Sequence, residues 1–117
     1  MKTSIRSGIR IFSGVILLAI FTTSNSCSKS SDGTPGLNEV FIQNMAFNPV
    51  TITVPANTTI TWTNKDGVAH TVTSNTGLFD SGSMGANETY SHLFTTAGSY
   101  PYHCIFHSGM TGTVIVN

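Results

Sequence analysis

Residues 89–104 read TYSHLFTTAGSYPYHC, and their period decides the fold class. Tyr90, His92 and Phe94 alternate with Ser91 and Leu93; beyond a turn at Ala97-Gly98, Tyr100, Tyr102 and Cys104 alternate again. An extended chain sends successive side chains to opposite faces, so a period of two predicts a strand on each side of the turn. The pattern recurs in both directions. Downstream, Gly112 to Val116 (GTVIV) ends the chain as a further strand. Upstream, His70 to Ser74 (HTVTS) reads as extended. Thr59 to Thr63 (TITWT) is β-branched and aromatic, followed by turn chemistry at Asn64-Lys65-Asp66-Gly67. Val50, Ile52 and Val54 alternate up to Pro55, and Val40 and Ile42 alternate before them. Nothing longer than a turn has a 3.6-residue period, and no internal repeat occurs. Seven to eight short strands at this spacing predict an all-β fold, a Greek-key β-sandwich or barrel.

The strands begin at about Asn38. Before them, Ser28 to Leu37 (SKSSDGTPGL) is rich in Ser, Gly and Pro and reads as a flexible tether. The first 26 residues read as a secretory signal: Lys2, Arg6 and Arg10, an apolar run from Ile11 to Phe21, then small polar residues to Ser26. The run is shorter than the roughly 20 residues a bilayer span requires. Cys27 follows directly and resembles the lipidation site of bacterial lipoproteins, with Ser24 where Leu is usual; ordinary cleavage leaving a free Cys27 is the alternative. The expected organisation is a signal over 1–26, a tether over 27–37 beginning at a lipidated Cys27, and one domain over 38–117. Its expected location is the periplasm or cell envelope, anchored by lipid to a bacterial membrane.

The chain has 117 residues, of which 39% are apolar and 9% charged, enough for one small core and too few charges for a disordered tail or coiled coil. From Cys27 onward two basic residues, Lys29 and Lys65, face five acidic ones, Asp32, Glu39, Asp66, Asp80 and Glu88, a net charge of −3. A nucleic-acid binder needs a Lys/Arg footprint, and that class is excluded. With Cys27 at the anchor, Cys104 is left without an internal disulfide partner. A lone thiol sent to an oxidising compartment asks for a chemical reason.

That reason lies in the loop after the last alternating strand. Cys104-Ile105-Phe106-His107-Ser108-Gly109-Met110 spells C-x2-H-x2-M, and His70 stands at the start of an earlier extended piece. One thiolate, two imidazoles and one thioether form the donor set of a blue-copper site, trigonal with a weak axial ligand. Thiolate and thioether are soft and suit Cu(I), while imidazole suits both oxidation states. Zinc is the rival, but structural zinc sites favour thiolates and imidazoles over Met.

At these residues the chain resembles the cupredoxin family, most closely its amicyanin branch, with plastocyanin and pseudoazurin further off. Met45-Ala46-Phe47-Asn48-Pro49, Ile60-Thr61-Trp62-Thr63-Asn64 and His70 match the family's first half. Gly98 to Cys104, His107, Met110 and Gly112 to Val116 match its second. The resemblance implies a cupredoxin fold and one copper ion held strongly by His70, Cys104 and His107 and axially by Met110. It also implies single-electron traffic between redox-partner proteins, with His107 able to detach and protonate in the Cu(I) state. A potential that stays constant from about pH 5 to 8 would refute that last expectation. Two departures from the family are Thr71, where Asn usually ties two ligand loops together, and Phe106, where the amicyanin branch has Pro. Such neighbours tune potential and rigidity more than metal identity.

Other residues are weighed against plainer roles. Met45 and Met84 match positions near the copper end and either join Phe106 in an apolar docking patch or fill core. His92, on the face of Tyr90 and Phe94, reads as a core or rim histidine; His103 should point away from Cys104, as a solvated side chain or as a second electron route beside the cysteine. Trp62, Tyr100 and Tyr102 read as core. An enzyme of the nitrite-reductase or multicopper-oxidase kind would carry a histidine on both sides of the cysteine, and Ile105 occupies one flank. A copper carrier or storage protein would use the same four donors and stays open as the alternative. The expected shuttle is a monomer, not an enzyme, that meets the membrane only through its anchor.

Overall fold

A computed structural model describes residues 33–117. The expected signal, Cys27 and the tether up to residue 32 lie outside the described residues. The rest of the expected tether is irregular until Gly36, whose N–H donates to Glu39 Oε2 at 2.8 Å and whose carbonyl accepts the Glu39 N–H at 3.2 Å. Eight strands follow among the described residues: β1 Glu39–Gln43, β2 Ala46–Asn48, β3 Thr51–Val54, β4 Thr58–Asn64, β5 Thr73–Ser74, β6 Thr89–Phe94, β7 Gly98–His103 and β8 Thr111–Val116. They form two four-stranded sheets, ordered β2-β1-β4-β6 and β3-β8-β7-β5. β1 with β4 and β3 with β8 are parallel pairs, so the chain must cross between sheets to make them. The all-β expectation holds.

Alternation decides which side chains enter the core. On β4, Ile60, Trp62 and Asn64 are fully buried, and Trp62 lies opposite Tyr90 of β6. On the facing sheet, Ile52 and Val54 pair with Val114 and Val116, and Tyr102 pairs with Gly112. Trp62 sits at the centre, with ring centroids 5.5 Å from Tyr102, 5.9 Å from Tyr90, 6.0 Å from Phe79 and 6.3 Å from Phe94. Burying roughly 200 Å² of such a ring at about 25 cal/mol per Å² contributes about 5 kcal/mol. Phe41 breaks the alternation: it faces outward from β1 yet is buried, because Lys65 lies over its ring, with Nζ 4.6 Å from the centroid.

Two local expectations need correction, and one strand was not anticipated. Residues 46–48 form a strand of their own, paired with β1 through a two-residue turn at Asn44-Met45. Val50 is exposed, because its strand begins one residue later. Of the expected piece His70–Ser74, only Thr73 and Ser74 are strand. The preceding amides turn to other partners: the Thr71 N–H to Cys104 Sγ, and the Val72 N–H to Ser81 Oγ.

Candidate metal centre

The centre forms at one end of the sandwich from two segments. The first is the loop after β4. It carries the fully buried His70, which forms an isolated bridge with Met84: His70 N–H donates to the Met84 carbonyl at 3.1 Å and Met84 N–H to the His70 carbonyl at 2.8 Å. The second is the β7–β8 connection, residues 104–110. It is cinched by Cys104 N–H to the Met110 carbonyl at 3.0 Å and Met110 N–H to the His107 carbonyl at 3.3 Å. Gly109, with φ 85, supplies the left-handed residue this tight return needs. Three candidate donors are thereby delivered by one seven-residue loop, and the fourth by the loop after β4, pinned to Met84.

The donor atoms converge. His70 Nδ1 lies 3.8 Å and His107 Nδ1 3.5 Å from Cys104 Sγ, and the three groups fall within 4.8 Å of one another. Bond lengths of about 2.0 Å to nitrogen and about 2.3 Å to sulfur, those of zinc with these donors, put N and S about 3.5 Å apart at a tetrahedral angle and about 3.7 Å apart at a trigonal one. The observed separations suit one ion between the three side chains. Cys104 is 3% and Met110 5% exposed, so both sulfurs are withheld from solvent. A set of one thiolate, two imidazoles and a thioether in the same loop fits copper better than zinc. Cys104 is also the sole cysteine of the described residues and is unpaired.

The groups around the donors are arranged in detail. The Thr71 N–H points at Cys104 Sγ at 3.4 Å. The Thr71 hydroxyl accepts two hydrogen bonds, from Ile105 N–H at 2.8 Å and from the Thr73 hydroxyl at 3.0 Å. Thr71 therefore ties the two ligand loops together through its hydroxyl oxygen. Asp66 Oδ2 lies 2.9 Å from His70 Nε2. Burial alone would raise the Asp66 carboxyl, but hydrogen bonds from Met45 N–H, His70 and Asn44 N–H outweigh it and hold the group below its ordinary 3.8. Sequence reasoning took Asp66 only as turn chemistry; a carboxylate four residues before a candidate ligand was the signal it passed over.

The remaining singled-out residues separate cleanly. Met45, Ile105 and Phe106 are about half exposed, and Met45 and Phe106 line one surface depression with His107 and Met110. Met84 is buried core, so the two methionines part company. His92 is a rim residue, its ring 4.8 Å from those of both Phe79 and Phe94. His103 does face away from Cys104, but it is half-buried and bonded through Nδ1 to Asn75 Oδ1 rather than solvated.

Comparisons with known proteins agree with this geometry. Residues 14–116 match the family model of a cupredoxin-like domain. Amicyanin-alpha of Methylorubrum extorquens is 33% identical over 86 residues, which span 69% of this chain and 72% of that protein. Plastocyanin of Scenedesmus fuscus is 34% identical over 90 residues, 62% of this chain and 87% of the relative. Among solved structures, a purple cupredoxin from Nitrosopumilus maritimus superposes with a TM-score of 0.63 at 30% identity, covering 68% of this chain and 98% of that one. With the fold, the donor set and these likenesses in agreement, the chain belongs to the cupredoxin-like family.

Proposed function

We propose that this chain is a blue-copper electron carrier of the cell envelope. The observation that carries the reading is the convergence of His70 Nδ1, His107 Nδ1 and Cys104 Sγ just beneath an exposed apolar face. His70, Cys104 and His107 are the strong ligands and Met110 the axial one. Copper, when bound, supplies a one-electron couple at that point. The rest is the work of the chain. Cys104 serves as thiolate, and the Thr71 N–H aimed at its sulfur offsets part of the negative charge. The backbone bonds that close the 104–110 loop and bridge His70 to Met84 fix the main chain that carries the donors, so any rearrangement on electron transfer is confined to side chains. Half-buried His107 links the buried sulfur to the surface, where exposed Phe106 and Met45 offer a partner an apolar landing. Four protein donors leave no position for a substrate, which favours a carrier over an enzyme. Docking there is expected to be small in area and short-lived.

The signal over 1–26 and Cys27 support export with a lipid anchor. The tether over 27–37 then lets a monomeric domain over 38–117 swing between donor and acceptor proteins. The first test is an optical and EPR spectrum of the protein loaded with Cu(II). An intense visible thiolate-to-copper band with small parallel hyperfine splitting, abolished by Cys104→Ser, is expected. A pale spectrum with ordinary splitting would sink the reading. Fast electron self-exchange with slow copper exchange separates a carrier of electrons from a carrier of copper.

A further inference from the structure

Asp66 does more than the metal centre described above requires. It lies in the loop after β4 with a side chain only 15% exposed, and both of its oxygens are engaged. Oδ1 accepts the Asn44 N–H at 2.8 Å; Oδ2 accepts the Met45 N–H at 3.0 Å and faces His70 Nε2 at 2.9 Å. The carboxylate is itself held from behind. The Asp66 N–H donates to Asn64 Oδ1 at 2.9 Å, and the Nδ2 of fully buried Asn64 lies within 3.2 Å of the carbonyls of Val68, Met84 and Gly85.

The turn it grips needs gripping. Asn44 and Met45 have φ of 55 and 60, the left-handed pair of a two-residue hairpin loop. Asn tolerates that conformation, but for Met it costs about 1–2 kcal/mol. The same turn sets Met45 on the exposed face beside Phe106 and His107.

We propose, resting on the copper reading above, that Asp66 is a positioning residue that joins the metal centre to the docking face. It acts on the metal through His70 and on the face through the β1–β2 turn. A carboxylate at Nε2 fixes the tautomer whose Nδ1 lone pair faces the Cys104 sulfur, and it makes the imidazole a stronger donor. A stronger donor favours Cu(II) over Cu(I), so Asp66 holds the reduction potential down. Because one carboxylate serves both the ligand and the turn, the landing surface and the metal centre keep a fixed relation.

Asp66→Asn tests this with nearly unchanged shape, since an amide has no charge and only one accepting oxygen where Asp66 uses both, one for Asn44 and the other for Met45 and His70. The copper-loaded variant should keep its visible band while the ratio of Cu(II) to Cu(I) affinity falls about tenfold, raising the midpoint potential by about 59 mV. Asp66→Glu, which keeps the charge, should recover part of that shift. In the metal-free variant the Asn44 and Met45 amide protons should exchange faster than in the unaltered protein. The inference stands only if potential and exchange both move; either one unchanged overturns it. Should Asp66→Asn not fold, a rapidly exchanging His70 Nε2 proton in the unaltered metal-free protein would overturn it without any variant. Absence of the thiolate band from the unaltered protein defeats the copper reading itself, a failure seen before any variant is made.

Discussion

The Thr71 hydroxyl accepts two hydrogen bonds, one of them from the amide of Ile105 immediately after Cys104. Removing that oxygen would leave a partly buried N–H without its partner, a loss of about 1–3 kcal/mol. Thr71→Val should therefore lower the stability of the metal-free protein by that amount in urea titration, whereas Thr71→Ser should cost much less. Equal stability of Thr71→Val and the unaltered protein would mean the two loops are held together by other contacts. A second residue makes a prediction about pH. Burial beside Phe79 and Phe94 lowers the His92 pKa below its ordinary 6.5. The unfolded chain then takes up a proton at higher pH than the folded one, so acid favours unfolding. The contribution of His92 is full above about pH 6.5, falls as pH drops below it, and levels off once pH is below the folded pKa. His92→Leu should flatten the stability-versus-pH curve of the metal-free protein in that window; a curve of unchanged slope would remove His92 from the account.

At the scale of strands, the β7–β8 pair both frames the centre and sets a packing limit. Tyr102 lies opposite Gly112, and a Cβ on Gly112 would stand 2.5 Å from the Tyr102 ring. Tyr102 is fully buried, so the ring has little room to retreat. Gly112→Ala should thus destabilise by about 1–3 kcal/mol, measured by chemical denaturation, as overpacked cores do. An unchanged midpoint would show that the ring can shift freely. This pair was also the most legible part of the sequence, because Tyr100 and Tyr102 repeat at two and the C-x2-H-x2-M spacing follows at once. Legibility fades where backbone amides leave the ladder. Thr71 and Val72 have strand propensity, yet their N–H groups go to a sulfur and a hydroxyl brought from elsewhere in the fold. No local pattern encodes a partner 33 residues away in the chain. The Asp66 grip on the β1–β2 turn was hidden for the same reason: its bonds reach back 22 and 21 residues, to Asn44 and Met45, and nothing in an Asn-Lys-Asp-Gly turn announces them.

For the described residues as a whole, eight strands between residues 39 and 116 sit near the size at which one core suffices. The described residues contain no disulfide to help, since Cys104 is unpaired. Its sulfur and two imidazoles are already gathered within 4.8 Å, an arrangement that a bound ion would reward and an unfolded chain cannot offer. Anything that binds the folded state alone stabilises it by mass action, about 2.7 kcal/mol at a free concentration one hundred times Kd. For a domain of this size each kcal/mol moves Tm by about 4–8 °C, so copper at that excess should raise Tm by more than 10 °C. Stripping the metal with a chelator should return the lower value. In Cys104→Ser the copper-induced rise should shrink to a small fraction, because a hydroxyl is a poor substitute for a thiolate at a soft centre. The metal-free forms of the two proteins should melt within a few degrees of each other, since the substitution is small. If instead Cys104→Ser melts far lower even without metal, the cysteine is serving the core. If copper stabilises both proteins equally, the ion is being held somewhere other than between His70, Cys104 and His107.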